Sequence, residues 1–585
     1  MAWPPAFPSH YFDGTRHKGA TCMTRHLLAT GLACILLVPT SCADDLDADS
    51  LSLRGAHPDD EEDQYYSGTY RNPARRGKYR VGSRTVFIQD FDRPFDQWGQ
   101  TYGTPAYQQL LADLEAIGEP RSLVTEIWYP VRPLDAPGHP RATYLDYYGG
   151  DRAIFDRRGV DPDYLTADGT TVGELQQTDT VAHEQLVEGV LDELASRKRR
   201  SRVGAPVAPG RFPLVILSHG AFIDETTPNA NREVWTTEAE RLASHGYIVV
   251  AMNHTGDSRH SVVFHHPNSL LAQQGPPEAV TDAYEIMFTE PGIPDKLFAV
   301  LFDPSQGPVA MNEMFQRLFE QRADDAASVI DYMTGLDGDP GDPLCGHVDI
   351  DEIGMAGFSL GSITTQVALN TIPEIDVGIG WNNGIPTGWE PPSFTGQTKP
   401  ILLTLGTQDA LTRTIFTELP FLIYPTVVPG GDPSDIMLSP QERVFPPTVD
   451  NPEPVVRAAY DRAQGPKMLL ELIDLQHWDV TDGENYLFPR HRLEQGAIDV
   501  AFDSVLERLP FGADVLDPQF TGDHFEVLGW ERKKPWRPWR YSPHRIRSYY
   551  SVAWFGYYLK GELRYRDDLL DDRFGSDTRV FRQGI

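Results

Sequence analysis

Short apolar runs separated by stretches of helical period dominate the middle of this chain. Residues 212–217 (Phe-Pro-Leu-Val-Ile-Leu), 246–252, 353–356, 377–381, 400–405 and 467–473 are apolar almost throughout. Strands with one wet face alternate apolar and polar positions. Unbroken apolar runs of this length fit strands buried on both faces. Between them lie helical patterns at 233–244 and 322–333, and one beginning near Ser362. Strands alternating with helices predict an α/β class fold, with a mostly parallel central sheet and helices on both faces. Upstream, 121–130 alternates like a strand and stops at Pro130, while 79–81 and 85–88 predict N-terminal strands extending the same sheet. The run 467–473 reads as the last strand.

Three segments break this rhythm. Residues 131–210 read as an insertion holding one charged helix at about 181–200, and 413–465 as another insertion. The stretch 258–318 is irregular and Pro-rich, suiting a lid or loop excursion that shapes a pocket. Residues 549–559, rich in Tyr, Trp and Phe, predict a helix laying aromatics on the sheet. The whole of 64–585 is therefore expected to be one catalytic domain with insertions at about 131–210, 258–318 and 413–465.

The N-terminus follows a different logic. From Met23 a short basic start leads into the apolar stretch 27–38 and then Pro39-Thr40-Ser41-Cys42. This is the build of an export signal, and it is too short to span a bilayer stably. Met23 reads as the better start, since 1–22 is polar and Pro-containing. The ending resembles a bacterial lipoprotein cleavage box with Cys42 as the lipidated residue, although Pro39 stands where an aliphatic residue is usual. The acidic stretch 43–63 reads as a flexible linker. An extracytoplasmic location is expected, with membrane attachment through Cys42 and plain secretion as the alternative.

Composition narrows the classes. The 585 residues are 40% hydrophobic and 11% aromatic, as in globular chains. A net charge of −33 argues against a nucleic-acid partner. Beyond residue 42 only Cys345 remains, so no internal disulfide can form there, and no Cys/His metal spacing occurs. Neither a metal nor another cofactor is expected.

The candidate chemistry starts at Gly357-Phe358-Ser359-Leu360-Gly361, a G-x-S-x-G sequence between an apolar run and a helical pattern. A nucleophilic Ser must stand clear of the sheet on a strained turn, and flanking glycines let the helix pass close to the strand. The alternative is a Gly-rich strand–helix turn with an incidental Ser. In parallel sheets active residues lie beyond the carboxyl ends of strands. Asp409 follows the run 400–405, and His477 follows 467–473, completing the order Ser, acid, His. His477 would take the Ser359 proton and Asp409 would orient the imidazole. Asp409 could instead cap a helix near Leu411, and His477 could pack on Trp478. His219, His245 and His254 compete for the His role, with His254 too early for this order. Asp376 sits at the wrong end of its strand. The oxyanion hole needs two backbone N–H groups. Leu360 supplies one, and Ala221, after Ser218-His219-Gly220, is the leading candidate for the other, with Phe222 second.

The segments 217–220, 242–250, 357–361 and the strand–loop at His477 resemble the platelet-activating factor acetylhydrolase and dienelactone-hydrolase-like group of α/β-hydrolases, over roughly 120–490. The resemblance implies metal-independent ester hydrolysis on an α/β-hydrolase fold, with Ala221 and Leu360 as oxyanion donors. One departure matters. Acetylhydrolases carry their acid after the strand that follows the nucleophile helix, and here Asn382 stands at that place. An Asn cannot stabilise an imidazolium as a carboxylate does, so Asp409 takes the role. Residues 549–566 also resemble the final helix of cutinase-like polyester hydrolases. The expected activity is serine carboxylic ester hydrolysis on lipid-like or small acyl esters. Polyester and dienelactone-type substrates are alternatives, as is a non-catalytic surface-binding lipoprotein. A peptidase ranks low, since no size-excluding domain is evident.

Overall fold

The computed structural model describes residues 75–148, 178–220, 231–258, 266–289, 307–386, 389–407, 454–473 and 543–585, with 73, 263, 264 and 475. Among these residues one sheet is built from β1 (Arg80–Pro94), β2 (Pro120–Val131), β3 (Arg141–Thr143), β4 (Lys198–Val203), β5 (Phe212–Ser218), β6 (Ile248–Met252), β7 (Val348–Phe358), β8 (Ile375–Trp381), β9 (Ile401–Gly406), β10 (Lys467–Leu472) and β11 (Thr578–Gln583). Their spatial order is β11-β10-β9-β8-β7-β5-β6-β2-β1-β4-β3. The run from β10 to β6 is parallel. Antiparallel β2 and β1 extend it on one side and antiparallel β11 on the other. This is the mostly parallel α/β sheet expected from the apolar runs, in the α/β-hydrolase arrangement that the family resemblance implies.

The strands of the parallel run are mostly apolar because both faces are covered. Leu214, Ile216, Ile248, Val250 and Met355 point into one buried cluster, while Val215, Leu217, Val249, Ala251 and Ala356 point into the other. Helices α1 (Thr236–Ser244) and α4 (Pro543–Tyr558) contribute to the second cluster. Helices α2 (Gly307–Gly338) and α3 (Leu360–Thr371) contribute to the first. The aromatic C-terminal helix packs as expected. The Trp554 indole N–H donates to the Gly378 carbonyl at 3.1 Å, and Arg547 and Ser548 both reach Glu238 on α1.

Several boundaries differ from expectation. The segment 131–210 is more than an insertion, because β3 and β4 from it complete one edge of the sheet. Its helix ends at Ser196, and the basic stretch 198–203 is strand, where alternate residues tuck inward and the Arg199 guanidinium pairs with Glu126 at 2.7 Å. The stretch 258–318 is partly helical, with helices at Leu270–Gln274 and Pro277–Thr289 and the start of α2 at Gly307. Its prolines led to the irregular reading, yet Pro277 sits at the first turn of a helix, where its missing N–H costs nothing. The final strand is β11, not β10. Its half-buried, partly charged positions show no clear period, and it pairs with β10 along one edge only. The leader 1–42, the acidic linker and most of 413–465 lie outside the described residues.

Chain order reverses direction between β5 and β7, since β6 lies on one side of β5 and β7 on the other. A crevice beyond the carboxyl ends of the strands is expected at such a switch point. Residues 218–220 and Ser359 flank it.

Candidate active site

Ser359 is the last turn between β7 and α3, with φ 54° and ψ −119°. Among the described residues only Ser359 and Asn382 combine a side chain with positive φ. Such a conformation costs about 1–3 kcal/mol and persists only where surrounding structure imposes it. Here the imposition is visible. The Ser359 N–H donates to the Trp381 carbonyl at 2.9 Å, extending the β7–β8 ladder one residue into the turn. Helix α3 then starts at once, at Leu360 rather than near Ser362. The Ser362 N–H turns back to the Ser359 carbonyl at 2.9 Å, while the N–H groups that open a helix have no partner within it and are suited to a developing oxyanion. Leu360 is the first residue of that helix.

The two glycines of the motif are required by packing. A Cβ on Gly357 would overlap the Gly361 carbonyl. One on Gly361 would stand 2.6 Å from the His219 carbonyl oxygen and closer still to that of Ser218. Because the obstacles are backbone, Gly361→Ala must push α3 off β5. We expect a loss of about 3 kcal/mol of stability, read as a lowered Tm, with falling ester turnover as Ser359 shifts.

The loop after β5 lies directly against the elbow. A Cβ on Gly220 would touch the Phe358 ring and Ser359 Cβ at 3.2–3.3 Å. Behind this loop is a fully buried polar network. The His254 backbone N–H donates to His219 Nε2 at 3.1 Å. That nitrogen therefore carries no proton, and the neutral ring holds its hydrogen on Nδ1, which donates to the Gly220 carbonyl at 2.7 Å. Burial, with Arg322 and His254 adding repulsion, holds the His219 imidazole well below its ordinary range.

His254 is not the idle competitor its chain position suggested. Its Nδ1 lies 2.8 Å from Asp325, and its Nε2 2.9 Å from the Ser218 hydroxyl. Burial pushes the His254 imidazole down to about 4, so it is neutral near pH 7. Burial by itself would raise the Asp325 carboxyl, but Arg121, Arg93 and the His254 bond outweigh it and hold the group well below the usual carboxylate range. Ser218, His254 and Asp325 thus have the connectivity of a catalytic triad, yet all three are 0% exposed. No substrate reaches Ser218, whereas Ser359 keeps 9% of its surface. The buried set joins β5, β6 and α2 behind the site. Sequence reading missed Asp325 and Arg322 because both lie on an amphipathic helix whose charges read as solvated. Their partners are buried with them, Arg121 and His254 against Asp325 and Asp257 against Arg322.

Asp409, His477 and Ala221 lie outside the described residues. What the structure does describe is the chain around two of them. The Thr407 N–H donates to the Leu472 carbonyl at 3.0 Å, and a Cβ on Gly406 would overlap the Leu475 carbonyl. The segments leading to 409 and 477 therefore leave adjacent strands in contact, at the same sheet end as Ser359. Asn382, at the acetylhydrolase acid position, is buried. Its N–H donates to Thr404 Oγ1 at 3.1 Å, and the Thr404 hydroxyl donates back to Asn382 Oδ1 at 3.3 Å. Asp376 is at the amino end of β8, accepting the Ile353 N–H at 3.0 Å, and His245 caps α1, far from this chemistry. Among the described residues no His/Cys/Asp/Glu group could hold a metal, and no helix is long and apolar enough to cross a membrane.

Residues 170–278 match the family model described as platelet-activating factor acetylhydrolase, isoform II. That stretch runs from before β4 through β5, β6 and the loops that meet the elbow. It includes 217–220 and 242–250 of the four segments that resemble acetylhydrolases, and it supports the class of carboxylic ester hydrolase. Among solved structures, a ferulic acid esterase from Streptomyces cinnamoneus matches with 18% identity and a TM-score of 0.40, over 85% of this chain and 94% of that one. No curated protein matches the chain.

Proposed function

We propose that the protein hydrolyses carboxylic esters through an acyl-enzyme on Ser359, with His477 as general base and Asp409 as the acid that orients it. The observation carrying this is the strained Ser359 backbone between β7 and α3, at the switch point of the sheet and against the Gly220 loop. Strain of this kind serves packing poorly but presents a hydroxyl to the crevice. In the first step His477 accepts the Ser359 proton as Oγ bonds to the ester carbonyl carbon. The resulting oxyanion is held by the N–H groups of Leu360 and Ala221. Collapse expels the alcohol, which takes the proton from His477. Water, deprotonated by the same imidazole, then attacks the acyl-enzyme, releasing the acid and restoring Ser359.

The matched family favours lipid-like esters with a short acyl group, and an acidic, exported protein attached through Cys42 would meet them at a membrane surface. A fluorophosphonate probe tests the reading. We expect one phosphonyl adduct, located by peptide mapping to Ser359. A folded protein that stays unlabelled would instead mark a binding lipoprotein.

A further inference from the structure

The peptide bond between Trp381 and Asn382 lies directly behind the turn at Ser359 and is fixed from both sides. Its carbonyl accepts the Ser359 N–H at 2.9 Å, and its N–H donates to Thr404 Oγ1, in β9, at 3.1 Å. The pairing of β8 with β9 ends at Gly380 and Leu403. Beyond that point the Thr404 side chain makes the join. The Thr404 hydroxyl donates to Asn382 Oδ1 at 3.3 Å, so its proton is engaged and a lone pair faces the Asn382 N–H. Asn382 reaches this geometry through φ 52°, a left-handed conformation that Asn adopts more readily than most side chains. Trp381, Asn382 and Thr404 are all 0% exposed. The next carbonyl, that of Asn383, accepts the Ser362 hydroxyl on α3 at 2.7 Å.

A peptide group is planar, so an N–H held on one side fixes where the carbonyl on the other side points. Polarisation along such a chain also strengthens each bond in it. We propose that Thr404 is a positioning residue for Ser359: its hydroxyl, oriented by the Asn382 carboxamide, holds the Trp381–Asn382 peptide so that the Trp381 carbonyl keeps Ser359 in its positive-φ turn. The place where acetylhydrolases carry their acid serves here to hold the attacking residue. This rests on the reading of Ser359 as nucleophile. Without the Thr404 oxygen the Ser359 backbone relaxes, and a misplacement of about 1 Å can lower a rate by about 10²-fold. The step affected is the attack by Oγ, so kcat falls and KM changes little.

Thr404→Val keeps the branched shape and removes the acceptor. With p-nitrophenyl butyrate we expect kcat per folded protein to fall about 30-fold, inside the roughly 10² that such a misplacement can cost, with KM within about twofold. The rate of fluorophosphonate labelling at Ser359 should fall with it, since it reads the same attack. Thr404→Ser retains the oxygen and should keep kcat within about threefold of the wild type. A second pair keeps the test sound if the valine variant does not fold. Thr404→Cys has nearly the size of Thr404→Ser, but its sulfur is a weak acceptor. We expect its kcat to lie about tenfold below that of Thr404→Ser, on the same scale. Folded Thr404→Val with unchanged kcat, or Ser and Cys variants of equal kcat, overturns the positioning role. So does a rise in KM at constant kcat. A wild type that the fluorophosphonate leaves unlabelled is a separate result, which removes the esterase reading itself.

Discussion

Ser359→Ala is expected to lower turnover of a p-nitrophenyl ester by about 10⁶-fold, the scale seen when the nucleophile is removed from a working serine triad. The size follows from the acyl-enzyme route, because without Oγ no covalent intermediate forms and the oxyanion donors act only on slow attack by water. KM should change little, since the hydroxyl adds little to ground-state binding. The fold should survive, because the turn is imposed by the Trp381 carbonyl and by Gly357 and Gly361, not by the Ser359 side chain. A second substitution at the same position separates strain from chemistry. Ser359→Gly should be equally inactive but more stable than Ser359→Ala by about 1 kcal/mol, because glycine takes φ 54° and ψ −119° without the clash a Cβ suffers. Thermal melts of the two variants decide that difference. An Ala variant with wild-type turnover would end the proposed mechanism.

The second large effect concerns the acid. Asp409→Asn is expected to reduce kcat by about 10⁴-fold, as when a triad carboxylate becomes an amide and the imidazole loses both its tautomer and its counter-charge. Asn382→Ala should cost far less, within about tenfold in kcat, because Asn382 is engaged with Thr404 through both its N–H and its carboxamide oxygen. The comparison is informative because acetylhydrolases place their acid where Asn382 stands. The chain around Asp409 supports its selection, as Gly406 and Leu475 touch and the two segments leave the sheet side by side. Turnover measured for both variants settles the choice. A crippled Asn382→Ala beside a mild Asp409→Asn would reverse it.

Much of this architecture was legible in the residues. Strands buried on both faces are apolar at most positions, so the apolar runs of β5, β6, β7, β8, β9 and β10 announce themselves without any knowledge of their neighbours. The elbow is equally local: Gly357, Ser359 and Gly361 are needed within one turn, and that turn lies between a buried run and a helix. Edge elements were harder. Strand β4 carries charge at alternate outward positions, β11 has Arg579 and Arg582 among half-buried residues, and β3 is too short to show a period. Their strand character comes from the hydrogen-bonding edge they complete.

What the sequence determined alone was thus the fold class and the strained turn at Ser359, because both depend on contacts or backbone demands that are short-range or uniform along a strand. Only the tertiary structure decided which charges lie inside. Arg322, Asp325 and Asp257 look like solvated residues in the chain, and His254 looks like a spare histidine. Folding brings α2 across the ends of β5 and β6, and away from water each of these groups must find a partner. Burial also separates the two serines, since Ser218 has a histidine and an aspartate in line but no access, while Ser359 has the access and the turn.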